Sequence, residues 1–440
     1  MKNNNLYENS QMKRQAGDRM YDLIGIGIGP FNLGMAALIE DIPEINAVFF
    51  DKSEEFVWHP GMLIEGSDLQ VPFLADLVTF CNPRSKYTFL NYLHTHNRLY
   101  PFFFFNRFDI PRREYSEYAA WAASELDSCT FSSCVTHVKY KKDHYEVHVE
   151  HDGEAAVYRT KHVSLGTGSI PLIPIEIDTW DCVIHSSDYL YKQENIKKKN
   201  AITVVGSGQS AAEIFLDLLQ SEDRFNYELS WFTRSAGFMQ LESAKLGQEV
   251  FSPDFVNYFQ ELSFEQRTKA LPELEHLRNG IDKKTLVSIY DLLYHRSIHG
   301  KDARVKIMPL TEVKDLKEDE SGFTLKCHQW QKEESFLHQT EAVIFATGYK
   351  PNLPDWIEEM RDDIVWEDEK RYKVEADYSL VFKDQREQNI FVLTNLEHSH
   401  GTGATNLGLS VYRNQQIINS ILNREHFKDQ GRTVFQQFAP

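Results

Sequence analysis

An α/β fold of two parallel-sheet units, one inserted in the other, is predicted by three observations. Strand, glycine turn and helix follow one another twice, at residues 20–40 and 200–219. Two further apolar strands, "HVSLGTGSIPLIP" and "AVIFATGYKPNLP", each end in a Thr-Gly turn with prolines beyond. The chain of 440 residues is longer than one hydrophobic core usually serves.

In the first segment, "MYDLIGIGIGPFNLGMAALIE", Tyr21 to Ile26 read as a buried strand and Phe31 to Glu40 as a helix. Gly25, Gly27 and Gly29 occupy the bend, with Pro30 and Asn32 opening the helix. Glycine there permits a tight turn and lets a phosphate approach the backbone at the positive end of the helix. A short apolar strand, Ala47 to Phe50, then ends in Asp51. An acid about twenty residues past the turn is placed for a ribose 2′-hydroxyl. Together these predict a dinucleotide site in a Rossmann-like domain.

The second segment, "NAITVVGSGQSAAEIFLDLL", repeats the arrangement with Gly206, Gly208, Gln209 and Ser210 in the turn, and Ala211 permits close helix packing. Its following strand ends at Thr233 and Arg234. A cation in place of the acid suits the 2′-phosphate of NADPH, whereas Asp51 suits the ribose of FAD. The alternative for Arg234 is a solvent-facing charge at a strand end. The two Thr-Gly segments, the second carrying Thr347, Gly348 and Tyr349, read as return strands past a bound dinucleotide, and suggest insertion of one domain in the other. The expected organisation is a flexible tail at 1–19, an FAD domain at 20–195 and again at 341–440, and an NADPH domain at 196–340. The last includes a small, mostly helical substrate region about 240–300. A final block from Asn389 to Asn419 reads as strand, glycine-rich loop and amphipathic helix beside the flavin.

Composition narrows the function. With 65 acidic against 47 basic residues the net charge is −18, which argues against general binding of nucleic acid or anionic membranes. No apolar run is long enough to span a membrane, and the first 19 residues lack the apolar core of a secretory signal. The five cysteines are widely spread, without CxxC or zinc spacing, and suit a reducing cytoplasm. The absent CxxC weighs against disulfide reduction and favours a flavoprotein that uses oxygen. The 17 histidines show no clustered ligand spacing, so no metal is expected.

The segments "GIGPFNLGMAAL", "WHPGM" at Trp58–Met62, "LQVPFLADLV" at Leu69–Val78, "GSGQSAAE", "ATGY" and "LGLS" at Leu407–Ser410, in this order, resemble the microbial N-hydroxylating flavin monooxygenases of siderophore synthesis. The resemblance runs from about Tyr21 to the "VYRNQQIIN" helix. It implies FAD, NADPH and molecular oxygen, a primary amine substrate, and assembly as dimers or tetramers. The implied chemistry is reduction of FAD by NADPH, addition of oxygen at the flavin C4a and transfer of its distal oxygen to an uncharged amine. Water must be kept out, since unproductive breakdown would release hydrogen peroxide. The resemblance places Trp58, His59, Pro60, Gly61 and Met62 along the flavin, Gln70 near the isoalloxazine and NADP, and Leu409 and Ser410 near flavin and substrate. The alternative for Trp58 and Met62 is core packing, and for Ser410 a helix-start hydroxyl.

The amine is argued from charge. Lysine and ornithine members of this family carry a lysine where the present chain has Ala75 in "FLADL". Losing a cation beside an α-carboxylate is costly, but losing it beside a second ammonium is favourable. Gln248 and Glu249 in "GQEVFSPDFVNYF" are the candidates for the far ammonium, and Leu286 falls where ornithine enzymes supply an asparagine. A short diamine, putrescine or cadaverine, is therefore expected. Lysine, histamine and another class of flavin monooxygenase are the alternatives.

Overall fold

A computed structural model describes residues 19–176, 181–298 and 304–440 of the chain. Apart from Arg19, the predicted tail lies outside the described residues, as do the last two positions of the 240–300 region.

The first sheet is built on the strand Met20–Ile26, an apolar run buried along most of its length. It pairs in parallel with Ala47–Phe50 on one side, Leu23 opposite Ala47. On the other side it pairs with Glu154–Leu165, Ile24 opposite Val163. The near half of that long strand turns antiparallel, through Tyr145–His151 to Ser133–Tyr140. Its far half receives Ile390–Val392, in parallel, from more than 200 positions later in the chain. The helices Pro30–Ile39 and Arg112–Ser124 pack over this sheet in one continuous core with Leu33, Tyr118, Val163 and Phe391.

The second sheet is wholly parallel, in the order Val183–His185, Ala342–Phe345, Ala201–Val205, Glu228–Phe232, Val305–Met308. The helix Gln209–Phe225 buries Ile214, Phe215 and Leu218 on one face, with Lys283–Ser297 docked beside it. The other face meets a three-stranded antiparallel sheet spanning Thr311–Thr340, and Val205, Phe232 and Phe345 share a core with Leu325 and Cys327. The inserted arrangement is therefore present. Sheet membership reaches past the expected limits of 196 and 340, because Val183–His185 pairs with Ala342–Phe345.

The two Thr-Gly segments leave their sheets and meet as an antiparallel ribbon, Ser169–Pro171 against Tyr349–Pro351. Thr167 and Asn352 lock it with reciprocal bonds, Thr167 Oγ1 to Asn352 O at 2.6 Å and Asn352 Nδ2 to Thr167 O at 3.1 Å. Both passages between the domains thus run side by side.

His162 ties the late strand to the first sheet, since the Asn389 N–H donates to its Nδ1 at 3.0 Å. Burial, and then Lys161, push its pKa down to about 4. The unfolded ring, near 6.5, takes up a proton first as pH falls. This contribution to stability is therefore complete above pH 6.5 and is lost as pH falls towards 4. Replacing His162→Phe is expected to cost about 1 kcal/mol at pH 7.5 through the unpaired N–H. It should also flatten part of the fall in Tm between pH 7 and 4.5, as read by thermal melts across that range.

Candidate active site

The first glycine turn leaves room on one side only. A Cβ on Gly27, at φ +84°, would lie 2.5 Å from the Gly166 carbonyl, whereas one on Gly29 would meet nothing. Gly25 backs directly on the Phe49 ring. Gly29 caps Pro30–Ile39 without a side-chain bond, and the first turn holds no acid, so its amides face open space. That is a cradle for a diphosphate. Asp51 closes the cradle's rim: its Oδ2 accepts from Ile28 N at 2.7 Å and its Oδ1 from Ser53 N at 2.8 Å. Asn32 is fully buried, donating to Gly27 O at 2.8 Å and accepting from Ser164 Oγ at 2.6 Å. It braces the turn from behind, and Pro30 is buried with it.

The second turn follows the same plan. Gly206 backs on the Ala346 carbonyl, while Gly208 faces open space and caps Gln209–Phe225 without a side-chain bond. Ser210 begins that helix. Ser207 and Ser235 hydroxyls meet at 2.9 Å, so the turn is joined to the end of the following strand. The Arg234 side chain there is exposed, and no ion pair or hydrogen bond engages it among the described residues. The Gln209 amide faces inward instead. It donates to Glu213 at 2.9 Å and Thr285 at 3.2 Å, and accepts from Asp282 N at 2.8 Å. Two uncapped helix starts with empty space before them fit two anionic dinucleotides.

Between the turns lies Trp58–Met62. Trp58 packs edge-on to Tyr115 at 5.0 Å, and His59 adopts φ +50°. His59 is exposed, with the Trp58 ring at 4.8 Å and the Tyr349 ring at 5.9 Å from its own. The protein packed around it, and then the Arg112 cation, push its pKa down to about 4, so it is neutral at physiological pH. Tyr349 also touches His185, whose Nε2 bonds the Gly348 carbonyl at 2.9 Å. Thr347 donates to Leu172 O, across the ribbon. Met62 is only 3% exposed and belongs to the core of the second sheet, which favours the packing reading of its side chain. Gln70 is exposed on the short strand Asp68–Pro72.

The residues expected around the amine do not form one cluster. Ala75 is buried, its Cβ 3.7 Å from where a Cβ on Gly408 would stand at the start of the helix Leu407–Leu422. Leu409 is buried against Gly403, and Ser410 donates to Leu407 O at 2.6 Å, as a helix-start hydroxyl does. Gln248 is turned to the Glu242 carbonyl. Glu249 is engaged by the C-terminal segment, accepting from Phe435 N at 3.1 Å and Gln436 N at 2.9 Å. Leu286 lies elsewhere, packed with Leu292 and Leu293 on the second core, because its helix docks on Gln209–Phe225.

Several contributors carry no motif. Asp76 is buried and accepts from Val78 N, Thr79 N, Thr79 Oγ1 and Phe89 N, fixing the loop that follows Ala75. The helix Pro253–Glu261 sets Phe255 and Phe259 against Gly401, and Phe438 stacks on Phe255 and Tyr258 from outside. Arg413 is wholly buried, donating Nη1 to Ala404 O at 2.7 Å and lying 4.2 Å over Phe31. Arg112 and Glu213 form a bidentate pair joining the two domains, at 2.9 Å on each arm. Apart from Asp76, which bonds mainly to Val78 and Thr79 close by, each of these rests on contacts between distant residues, so no local pattern announces it. Among the described residues, no group of three His, Cys, Asp or Glu is placed to hold a metal ion.

Comparison with known proteins agrees with this geometry. The family described as L-lysine 6-monooxygenase/L-ornithine 5-monooxygenase matches residues 19–351. The putrescine N-hydroxylase of Shewanella oneidensis is 39% identical over 435 residues, covering 97% of this chain and 86% of that protein. The FAD-bound crystal structure of a cadaverine monooxygenase of desferrioxamine biosynthesis from Erwinia amylovora superposes with a TM-score of 0.92 at 37% identity, covering 96% and 99%. An ornithine N-hydroxylase of Kutzneria, with reduced FAD, NADP+ and L-ornithine, gives 0.87 at 27% identity, covering 92% and 99%. With two glycine-led helix starts facing open space and a family match over most of its length, the chain belongs to the L-lysine 6-monooxygenase/L-ornithine 5-monooxygenase family.

Proposed function

We propose that this monooxygenase N-hydroxylates a short aliphatic diamine, putrescine or cadaverine, with FAD, NADPH and oxygen, in hydroxamate siderophore synthesis. The observation that carries the choice of amine is Ala75, a buried methyl against the start of the helix Leu407–Leu422. A lysine there would face the positive end of that helix and repel a second ammonium. The relatives that act on putrescine and cadaverine are also more similar to this chain than the ornithine enzyme is.

Gly25–Asn32 and Asp51 would hold FAD, which would supply the oxygen-transfer chemistry, and Gly206–Ser210 with Arg234 would hold NADPH, which would supply the hydride. The chain's own work is to bind, orient and keep water out. Neutral His59, the Trp58 and Tyr349 rings and the Thr347–Gly348 turn make a wall without a mobile charge, from which bound cofactors would displace water. Gln70, exposed on the strand Asp68–Pro72, would in this reading offer its amide to the nicotinamide. Ser410 and Leu409 shape the amine end, and Gln248 is the polar group from the substrate region. Glu249 acts through the C-terminal segment that it anchors.

Two further properties belong to the same reading. All five cysteines are free thiols, and no helix among the described residues is long and apolar enough to cross a membrane, which suits cytoplasmic work with NADPH. Copies of the chain associate through the helix Leu99–Phe105, where Tyr100, Phe103 and Phe104 are all more than 70% exposed and Phe108 lies alongside. Four rings of roughly 150 Å² each, with Leu90 and Phe105 beside them, approach the ~800 Å² that one partner gives a stable interface.

Coupled turnover on a panel of putrescine, cadaverine, lysine, ornithine and histamine tests the amine, counting hydroxylamine per NADPH. A diamine should give strong, coupled product and lysine little, and Ala75→Lys should lower diamine kcat/KM at least tenfold. Coupled product from lysine or ornithine would overturn the choice of amine. For the nucleotide, Arg234→Ala should cut the preference for NADPH over NADH about tenfold or more, the worth of one charged contact at about 1.5–3 kcal/mol. Light scattering should show Phe103→Asp/Phe104→Asp as a monomer where the parent protein is a dimer or tetramer.

A further inference from the structure

The turn Trp58–Met62 bridges two cores within five residues. Trp58 packs on the first, against Tyr115, and Met62 is buried in the second beside Ile184, Tyr189 and Ala211. Between them His59 holds φ +50°, and Gly61 lies flat on the other domain. A Cβ on Gly61 would stand 1.7 Å from the Ser187 carbonyl, a backbone contact that cannot give way as a side chain would.

Arg112 flanks this turn. Its guanidinium makes both bonds to Glu213 at 2.9 Å and a third from Nη1 to the Met62 carbonyl at 2.8 Å. The side chains are 12% and 6% exposed, so the pair is screened little by salt. Glu213 holds Gln209, Gln209 holds the start of the helix Lys283–Ser297, and Lys284 on that helix returns to Asp68 of the first domain at 2.9 Å. The contacts close a ring across the domain boundary. Only a bidentate cation satisfies Glu213 and the Met62 carbonyl together.

We propose that Trp58–Met62 is the joint that sets the angle between the two nucleotide domains, with Gly61 and the Arg112–Glu213 pair as positioning residues for flavin reduction by NADPH. This rests on the reading of the chain as an FAD- and NADPH-dependent N-hydroxylase. Gly61 and the Arg112–Glu213 pair act through the joint and not on the reacting atoms. It decides whether the nicotinamide, carried by one domain, reaches the flavin carried by the other.

The test uses Arg112→Lys, Glu213→Gln, Gly61→Ala and the reversed pair Arg112→Glu/Glu213→Arg. Hydrogen exchange on the ligand-free proteins should show faster opening at 59–63 and 186–190 in the three single variants, with partial recovery in the reversed pair. In the holoenzymes of Arg112→Lys and Glu213→Gln, anaerobic flavin reduction by NADPH should slow ten- to hundredfold with FAD and NADP+ affinities within threefold of the parent. Flavin reduced with dithionite, then given oxygen and putrescine, should yield hydroxylamine as in the parent. Unchanged exchange at both segments, or an equal loss of dithionite-primed product, would overturn the joint. If Gly61→Ala does not fold, Arg112→Lys and Glu213→Gln decide the matter. A parent protein that NADPH does not reduce would sink the cofactor reading, while the exchange measurement would still judge the joint.

Discussion

The chain must leave the first sheet and return to it through one place, and the rest of the architecture answers to that constraint. It goes out after Leu165 and comes back after Phe345, and the two passages pair as the ribbon Ser169–Pro171 with Tyr349–Pro351. Backbone polar groups in such a crossing have no sheet to satisfy them, so side chains and the ribbon itself must do so. Thr167, Asn352, Thr347 and His185 supply those bonds. His185 lies against Tyr349, whose ring faces His59, so the crossing is joined to the proposed flavin wall.

Electrostatics of the site follow from what is left uncapped. Five helices among the described residues are closed by Thr88, Ser252, Ser263, Asp282 and Asn406, whose side chains accept the first free amides. Gly29 and Gly208 offer no such oxygen and stand before open space. In a protein of net charge −18 these two positive helix ends are where an anionic ligand would be received. The buried Arg413 adds a third fixed cation behind the loop before Leu407, where burial lowers its pKa to about 10 and still leaves it charged.

What could be read from residues alone divides along a physical line. Glycine turns, strand-end charges and Thr-Gly segments are local: their spacing states the backbone path, and the two parallel sheets follow the segments predicted for them. The inserted topology, and the position of Asp51 at a strand end beside the first turn, were legible for that reason. Met62, Leu286 and Glu249 were harder, because each is defined by what another part of the chain brings to it. Met62 joins the second core, Leu286 follows its helix onto Gln209–Phe225, and Glu249 is taken by residues almost two hundred positions later. Arg112 opens a helix with no cap or motif to mark it, and only Glu213 gives it meaning. Gly61 was noticed within a motif, yet its reason is the carbonyl of Ser187 and not the chemistry of its neighbours.

The late strand Ile390–Val392 has a consequence for how the molecule comes into being. The second sheet draws all its strands from one stretch, 183–345, so its pairings are available as soon as that stretch has been made. The first sheet cannot be finished then, since Val163 to Leu165 wait for partners that are synthesised after the whole insert. An exposed edge persists meanwhile on a strand of Val, Ser and Leu, and long-range pairings of this kind form slowly. Domains tend to fold as units during synthesis. Until Ile390–Val392 arrives, the edge at Val163–Leu165 is open to pairing with a strand of another chain.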